Sequence, residues 1–544
     1  MYETGTIVFV SFENEFAPVG GLAAVMKLLP PEVSRWYPTI LITPCFQNIE
    51  RTRRAMRDGE IADTGMAARA FHNGQFHDIW LLKAQPRKDR PAHAIYLVKA
   101  DRFFLAGENP YIDTWRHDAL FNDAHFLCKS VPAVLGLLSD KVKPPYKICL
   151  QDWETALVVE SMKLGPLAQC YLTLHNVYDT DLRGDPRGQT VLQHCIPLMQ
   201  GLAAVSEQYA IELTTDVLQR DCLAEKLQPL LASKPIIGIN NGNFVPMNFP
   251  RTARDVKAIM AIKREARIEF ARLLRSRDDI APRWGNKIDL AADDKPIFLV
   301  FGRDDPKQKG FDVAAAAAYR FLHRAGKESG YFVFAPIPGP HGLNGISYLE
   351  GLCAEFPGNV MVFPFRLSAG YQELQKAASY IIMPSYYEPF GAANEGYANG
   401  VPVIARATGG LIQQVCPVET TGLNERIIAF CRKYHGEDLS KPTGFLYREH
   451  PSTETAENWK YLLSTKFDER RSIQEPVNKL NPVFWSMVDE LVRVLGKATS
   501  YYANKPRYCE LITNGIVLFE KFSWEDSARG YIERLFGMSP HASE

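Results

Sequence analysis

Residues 6–26, TIVFVSFENEFAPVGGLAAVM, set the fold. The opening apolar, β-branched run reads as a buried parallel strand, because a strand covered on both faces shows no polar alternation. The run gives way to a turn with Pro18, Gly20 and Gly21, and helical spacing begins at Leu22. Strand, glycine turn and helix together open a doubly wound α/β sheet. The pattern recurs downstream. TILITP (39–44), AIYLV (94–98), YKICLQ (146–151), CYLTLHN (170–176) and PIIGIN (235–240) are further strand candidates, separated by helical stretches such as ALFNDAHFLCKSVPAVLGLL.

Near residue 251 the character changes. KAIMAIKREARIEFARLLRSRDD reads as a charged helix and APRWGNKIDLAADDKP as a loop, so 251–294 is expected to be a linker between domains. The strand–helix alternation then restarts with PIFLVFGR (296–303), YFVFAPIP (331–338), NVMVFPF (359–365), YIIMPS (380–385) and VPVIARA (401–407). A chain of 544 residues is too long for one core. The expectation is two α/β domains, 1–250 and 295–515, facing a central cleft, with a closing helix over 516–544. A ligand site belongs in the crevice at the carboxyl ends of the strands.

Composition narrows the class. Hydrophobic residues make up 46% and charged residues 23%, ordinary for a globular protein. Lys plus Arg and Asp plus Glu balance at 62 each, against the basic excess usual in nucleic-acid binders. The ten cysteines, Cys45 to Cys509, form no CxxC pair and no cluster of metal-ligand spacing. Several sit in apolar runs, so reduced, structural thiols in a cytoplasmic protein are expected. No apolar run approaches the ~20 residues a membrane helix requires.

Four motifs could carry chemistry. Gly20-Gly21 after the first strand would let backbone approach a phosphate at a helix start. A tight strand-to-helix turn alone would use the same residues. Arg303 with Lys309-Gly310, after a strand and before a helix, could stabilise charge on a departing diphosphate without a metal. In Ser385-Tyr386-Tyr387-Glu388-Pro389-Phe390-Gly391, Glu388 could accept hydrogen bonds from sugar hydroxyls, and Glu395 from a ribose. Thr408-Gly409-Gly410-Leu411 repeats the glycine turn in the second domain, so one turn per domain could hold a nucleotide sugar.

In this order the motifs resemble the glycogen and starch synthases within the wider GT-B glycosyltransferases. The resemblance also takes in Asp152-Trp153, Leu174-His175-Asn176, Val205-Ser206, Asn241-Gly242, Thr443-Gly444-Phe445 and the closing Phe522-Ser523-Trp524 with Ala528. It implies a retaining hexosyltransferase, with 1–250 on the acceptor side, 295–515 binding the nucleotide sugar, and the closing helix returning to the first domain. Arg303 and Lys309 would hold the donor diphosphate. His175 would meet the 6-hydroxyl side of the donor sugar, Asp152 would shape the acceptor side, and Glu388 would bind the 3- and 4-hydroxyls. The partners implied are a UDP-sugar or ADP-sugar donor and a carbohydrate acceptor, with no cofactor, metal, nucleic acid or membrane. No oligomeric state follows.

The chain departs from the family pattern at defined places. Pro18 stands where the family has the lysine of Lys-x-Gly-Gly, and Phe12 where it has a strand-one glutamate, with Glu13 adjacent. His-Asp-Trp-His is here Gln151-Asp152-Trp153-Glu154. Six residues rather than seven separate Glu388 from Glu395. Two alternatives follow: a transferase with a small non-glucan acceptor, or a catalytically inert GT-B scaffold that binds glycan or nucleotide sugar. A pyridoxal-phosphate glycan phosphorylase finds no matching lysine motif.

Overall fold

The computed structural model describes residues 5–86, 93–112, 116, 118–162, 167–339, 341–367, 369–464 and 481–540. The chain forms two compact units. The first comprises Met1–Thr215, Leu223–Phe244 and Ser523–Glu544, and the second Asp216–Cys222 and Val245–Phe522.

The strands of the first unit are β1 (Thr6–Val10), β2 (Thr39–Pro44), β3 (Ile61–His72), β4 (Gln75–Ala84), β5 (Ala94–Lys99), β6 (Tyr146–Gln151), β7 (Ala168–Leu174), β8 (Gly201–Ala204) and β9 (Ile236–Gly238). They form one sheet in the order β3-β4-β5-β2-β1-β6-β7-β8-β9. From β5 to β9 every neighbour pair is parallel, whereas β3 and β4 form an antiparallel hairpin at one edge. The hairpin is an addition to the expected alternation. β1 is buried throughout and packs with the Gly21–Val33 helix in a core that also takes in Ala528, Tyr531, Ile532 and Leu535.

The closing segment is therefore built into the first unit. Trp524 Nε1 donates to Asn243 O at 2.7 Å, and Ser527 Oγ donates to Asn240 O at 2.5 Å. The crossing lies at Phe522/Ser523. Residues 516–519 finish the Lys505–Phe519 helix inside the second unit.

The second unit holds β10 (Ile297–Arg303), β11 (Tyr331–Ile337), β12 (Val360–Val362), β13 (Tyr380–Met383), β14 (Val403–Arg406) and β15 (Gly444–Tyr447). The order is β12-β11-β10-β13-β14-β15, all parallel. The Val256–Ser276 helix, read from its charges as linker, belongs to this unit. It buries Ile259, Phe270, Ala271 and Leu274. Two of its charges are buried as well. Lys263 Nζ donates to the carbonyls of Lys376 and Ala378 at 2.5 and 2.6 Å. Arg267 Nη2 donates to Ser379 Oγ and Tyr502 Oη at 2.8 and 2.7 Å. Buried cations persist only where oxygens replace water in this way.

Strand direction then gathers the loops. β1, β6 and β7 are adjacent and parallel, so the segments after Val10, Gln151 and Leu174 emerge at one end of the first sheet. β10, β13 and β14 do the same for the segments after Arg303, Met383 and Arg406. Ligands bind at such carboxyl ends in open α/β sheets.

Candidate active site

In the second unit, six of the seven candidate residues cluster around one loop. Lys309 Nζ donates to Glu388 Oε2 at 2.6 Å, and Ser385 Oγ donates to the same oxygen at 2.9 Å. Lys309 leads into the Phe311–Ala325 helix through Gly310, whose φ of 61° is left-handed. A Cβ at Gly310 would stand 2.2 Å from Pro384 O, so only glycine lets these two segments touch. The Glu388 loop rests on the second glycine turn. Gly409 has φ 47°, and a Cβ there would fall 2.0 Å from Glu388 O. Gly410 donates its N–H to that same carbonyl at 3.0 Å, and its own Cβ would fall 2.2 Å from Phe390 O. Thr408 is buried directly before them.

Glu395, in the first turn of the Ala393–Ala398 helix, accepts from Gln375 Nε2 at 3.4 Å. Burial raises its pKa, while the Gln375 bond and the Lys309 charge lower it. Arg303 ends β10 with its side chain exposed. The result is a carboxylate and an ammonium side by side, with a guanidinium six residues before the lysine.

In the first unit, Asp152 and His175 follow the adjacent strands β6 and β7 and meet directly. Asp152 Oδ1 accepts the His175 backbone N–H at 2.7 Å. Asp152 holds φ 58° and ψ −175°, a region that only glycine visits freely. Such strain costs about 1–3 kcal/mol and gathers at functional sites. Burial pushes the Asp152 carboxyl up to about 7; the His175 and Asn176 amides oppose this, and the Glu13 charge reinforces it. Burial also drives Glu154 well above the carboxylate range, helped by Asp152 and Glu13. The His175 ring is pushed down to about 3 by burial and is neutral near pH 7.

Gly20 and Gly21 follow β1, but the amides of this turn are largely used internally. Glu13 Oε2 accepts the N–H groups of both Val19 and Gly20 at 2.9 Å, and Glu13 Oε1 accepts from Tyr111 Oη at 2.8 Å. Gly20 is extended, with φ −130°, and among the described residues a Cβ on Gly21 would meet nothing within 4 Å. Pro18 is exposed. Sequence reasoning marked Glu13 only as the neighbour of a displaced glutamate. Its capping of the turn follows from the chain path after Phe12, and Tyr111, 98 residues away, left no signal. Ser385 lay inside a quoted motif without a role.

Residues 6–228 match the family model of the starch synthase catalytic domain, and residues 262–470 match that of the family 4 glycosyltransferases in conflict systems. A glycogen synthase of Thermotoga petrophila is 24% identical over 496 residues, 81% of this chain and 92% of that protein. An uncharacterized glycosyltransferase of Methanocaldococcus jannaschii is 31% identical over 143 residues, which are 25% of this chain and 34% of that relative. The chain thus spans about a third of the length of that curated relative. The starch synthase IV catalytic domain of Arabidopsis thaliana, solved with ADP and acarbose, superposes with a TM-score of 0.59 at 18% identity, over 91% of this chain and 99% of that one. The fold is that of the GT-B glycosyltransferases. Over residues 6–228 and in its match to that glycogen synthase, the chain is similar to the glycogen and starch synthases.

Among the described residues, no helix is long and apolar enough to cross a membrane.

Proposed function

We propose that this protein transfers a hexosyl unit, glucosyl in the first instance, from a nucleotide diphosphate sugar to a carbohydrate acceptor. Anomeric configuration is retained, no metal takes part, and the setting is cytoplasmic. The observation that carries the reading is the 2.6 Å pair of Lys309 and Glu388, fixed on a loop that glycines 409 and 410 hold from beneath. An ammonium and a carboxylate placed together suit a ligand that brings phosphate and hydroxyls to one point.

In this account Lys309 and Arg303 face the diphosphate and stabilise the charge that develops as its bond to the anomeric carbon breaks. Glu388 accepts hydrogen bonds from the 3- and 4-hydroxyls. Glu395 serves the ribose, and neutral His175 serves the 6-hydroxyl side. The acceptor hydroxyl, oriented from the Asp152 side, attacks the face from which the diphosphate leaves. Its proton passes to the departing phosphate oxygen, and same-face attack gives retention. The two-carboxylate arrangement of retaining glycosidases has no part in this.

The test is nucleotide release from UDP-, ADP- and GDP-hexoses, with and without malto-oligosaccharides. Acceptor-dependent release with one donor supports the proposal, and no release with any pair removes it. A second reading, a scaffold that binds nucleotide sugar without transfer, is favoured by one feature. Glu13 already occupies the Val19 and Gly20 amides that a phosphate would otherwise meet. That reading requires saturable nucleotide-sugar binding with no release.

A further inference from the structure

Gln151 ends β6, is fully buried, and has an amide that fits in one orientation. Its Nε2 lies 3.3 Å from Cys149 O and 3.2 Å from Cys149 Sγ. Turned over, the amide would set its oxygen against a carbonyl oxygen, two acceptors in contact. Oε1 therefore faces His175 Nε2, at 2.8 Å. An amide oxygen can only accept, so His175 Nε2 carries the hydrogen. Burial keeps the ring neutral, and in a neutral imidazole with hydrogen on Nε2 the other nitrogen, Nδ1, is a bare lone pair. The histidine backbone is held separately, through its N–H to Asp152 Oδ1. Among the described residues, nothing hydrogen-bonds Nδ1.

We infer that Gln151 is a positioning residue: it locks His175 in the Nε2–H tautomer and so dedicates Nδ1 to accepting a hydroxyl hydrogen from the sugar. The sugar contact rests on the transferase reading above, whereas the tautomer stands on the protein alone. The inference accounts for a departure from the family signature. Where the signature has histidine, this chain has an amide whose oxygen is aimed by the Cys149 carbonyl. A ring locked this way accepts from a hydroxyl and repels a carboxylate at the same place, so it selects between a neutral and an acidic sugar.

The experiment is ring-nitrogen NMR of the full chain with labelled histidine, the His175 signals being assigned by their loss in His175→Asn. The expected result at pH 7 is a neutral His175 ring with hydrogen on Nε2. In Gln151→Met the fixed form should give way to an averaged pair of tautomers. Donor KM should then rise about twofold, because an averaged ring presents a bare Nδ1 only about half the time, with kcat little changed. A wild-type ring that is charged at pH 7, or carries its hydrogen on Nδ1, overturns the inference even if the variant does not fold. Gln151→Met with unchanged spectrum and unchanged KM also overturns it. If the Nε2–H form is found but no nucleotide sugar is turned over, the tautomer assignment is supported and the transferase reading fails.

Discussion

The two glycine turns look alike in sequence, each following a strand and opening a helix, yet they are built on different physics. At Gly409-Gly410 the absence of a side chain is a steric requirement, since added Cβ atoms would lie 2.0 and 2.2 Å from the carbonyl oxygens of Glu388 and Phe390. At Gly21 an added Cβ would meet nothing within 4 Å among the described residues. The second turn is consumed in holding Glu388, through the 3.0 Å bond from Gly410 N–H to the Glu388 carbonyl. The first is capped by a side chain, Glu13, and leaves an open surface at Gly21. A glycine pair before a helix thus marks either a packing contact or a bare approach, and the neighbours decide which.

The largest effect that could break this contrast is expected at Gly410. Gly410→Ala drives a methyl into backbone and should cost about 3 kcal/mol of stability, with loss of activity, as overpacked sites do. Thermal unfolding in parallel with Gly21→Ala checks it, since the latter should stay within about 0.5 kcal/mol of wild type. Equal losses in the two would erase the distinction. Gly21→Val should leave stability nearly unchanged yet lower donor turnover by about tenfold or more, because the open surface is what a ligand would use. Full turnover in that variant would make the first turn purely structural.

Glu13 sharpens the comparison through pH. With Asp152 held up at about 7, its carboxylate forms as the pH rises through that value, and turnover that depends on it should rise through pH 7. Burial is the main cause, and the Glu13 charge adds to it. Glu13→Gln removes a negative neighbour, favours the carboxylate, and should move this limb to lower pH. A limb that stays in place would show that Glu13 is not felt at Asp152. The smallest effect is expected from Pro18→Lys. The position is exposed, and on the proposed reading Lys309 and Arg303 already supply the cations, so donor affinity should improve no more than about threefold. Activity that appears only in Pro18→Lys would instead favour the binding-scaffold reading.

Much of this was readable because the central strands are continuous apolar runs. β1, β2, β6, β7, β10, β11 and β13 all fell where the runs did. The β3–β4 hairpin was not, because β3 alternates half-buried and exposed positions through small and polar residues over most of its length and lies at an edge. β15, Gly444–Tyr447, was visible only as part of a motif. The Val256–Ser276 helix misled through Lys263 and Arg267, whose charges look solvated in sequence but are met by buried oxygens. At the candidate site, Lys309 and Glu388 were singled out as residue types that follow strands, whereas Asp152 and His175 were marked only by the family resemblance. The Glu13 cap and its Tyr111 partner were not, since both depend on contacts made after the chain has folded.

The central claim is that positive side chains of the second unit carry the leaving diphosphate. Its most direct test is turnover at saturating donor for Lys309→Ala and Arg303→Ala. Each should fall by roughly 10²-fold or more, the scale of losing one donor to developing charge, while a chelator leaves the wild type unaffected. Full turnover in either variant would remove that residue from the mechanism, and chelator inhibition reversed by Mg²⁺ or Mn²⁺ would contradict the account.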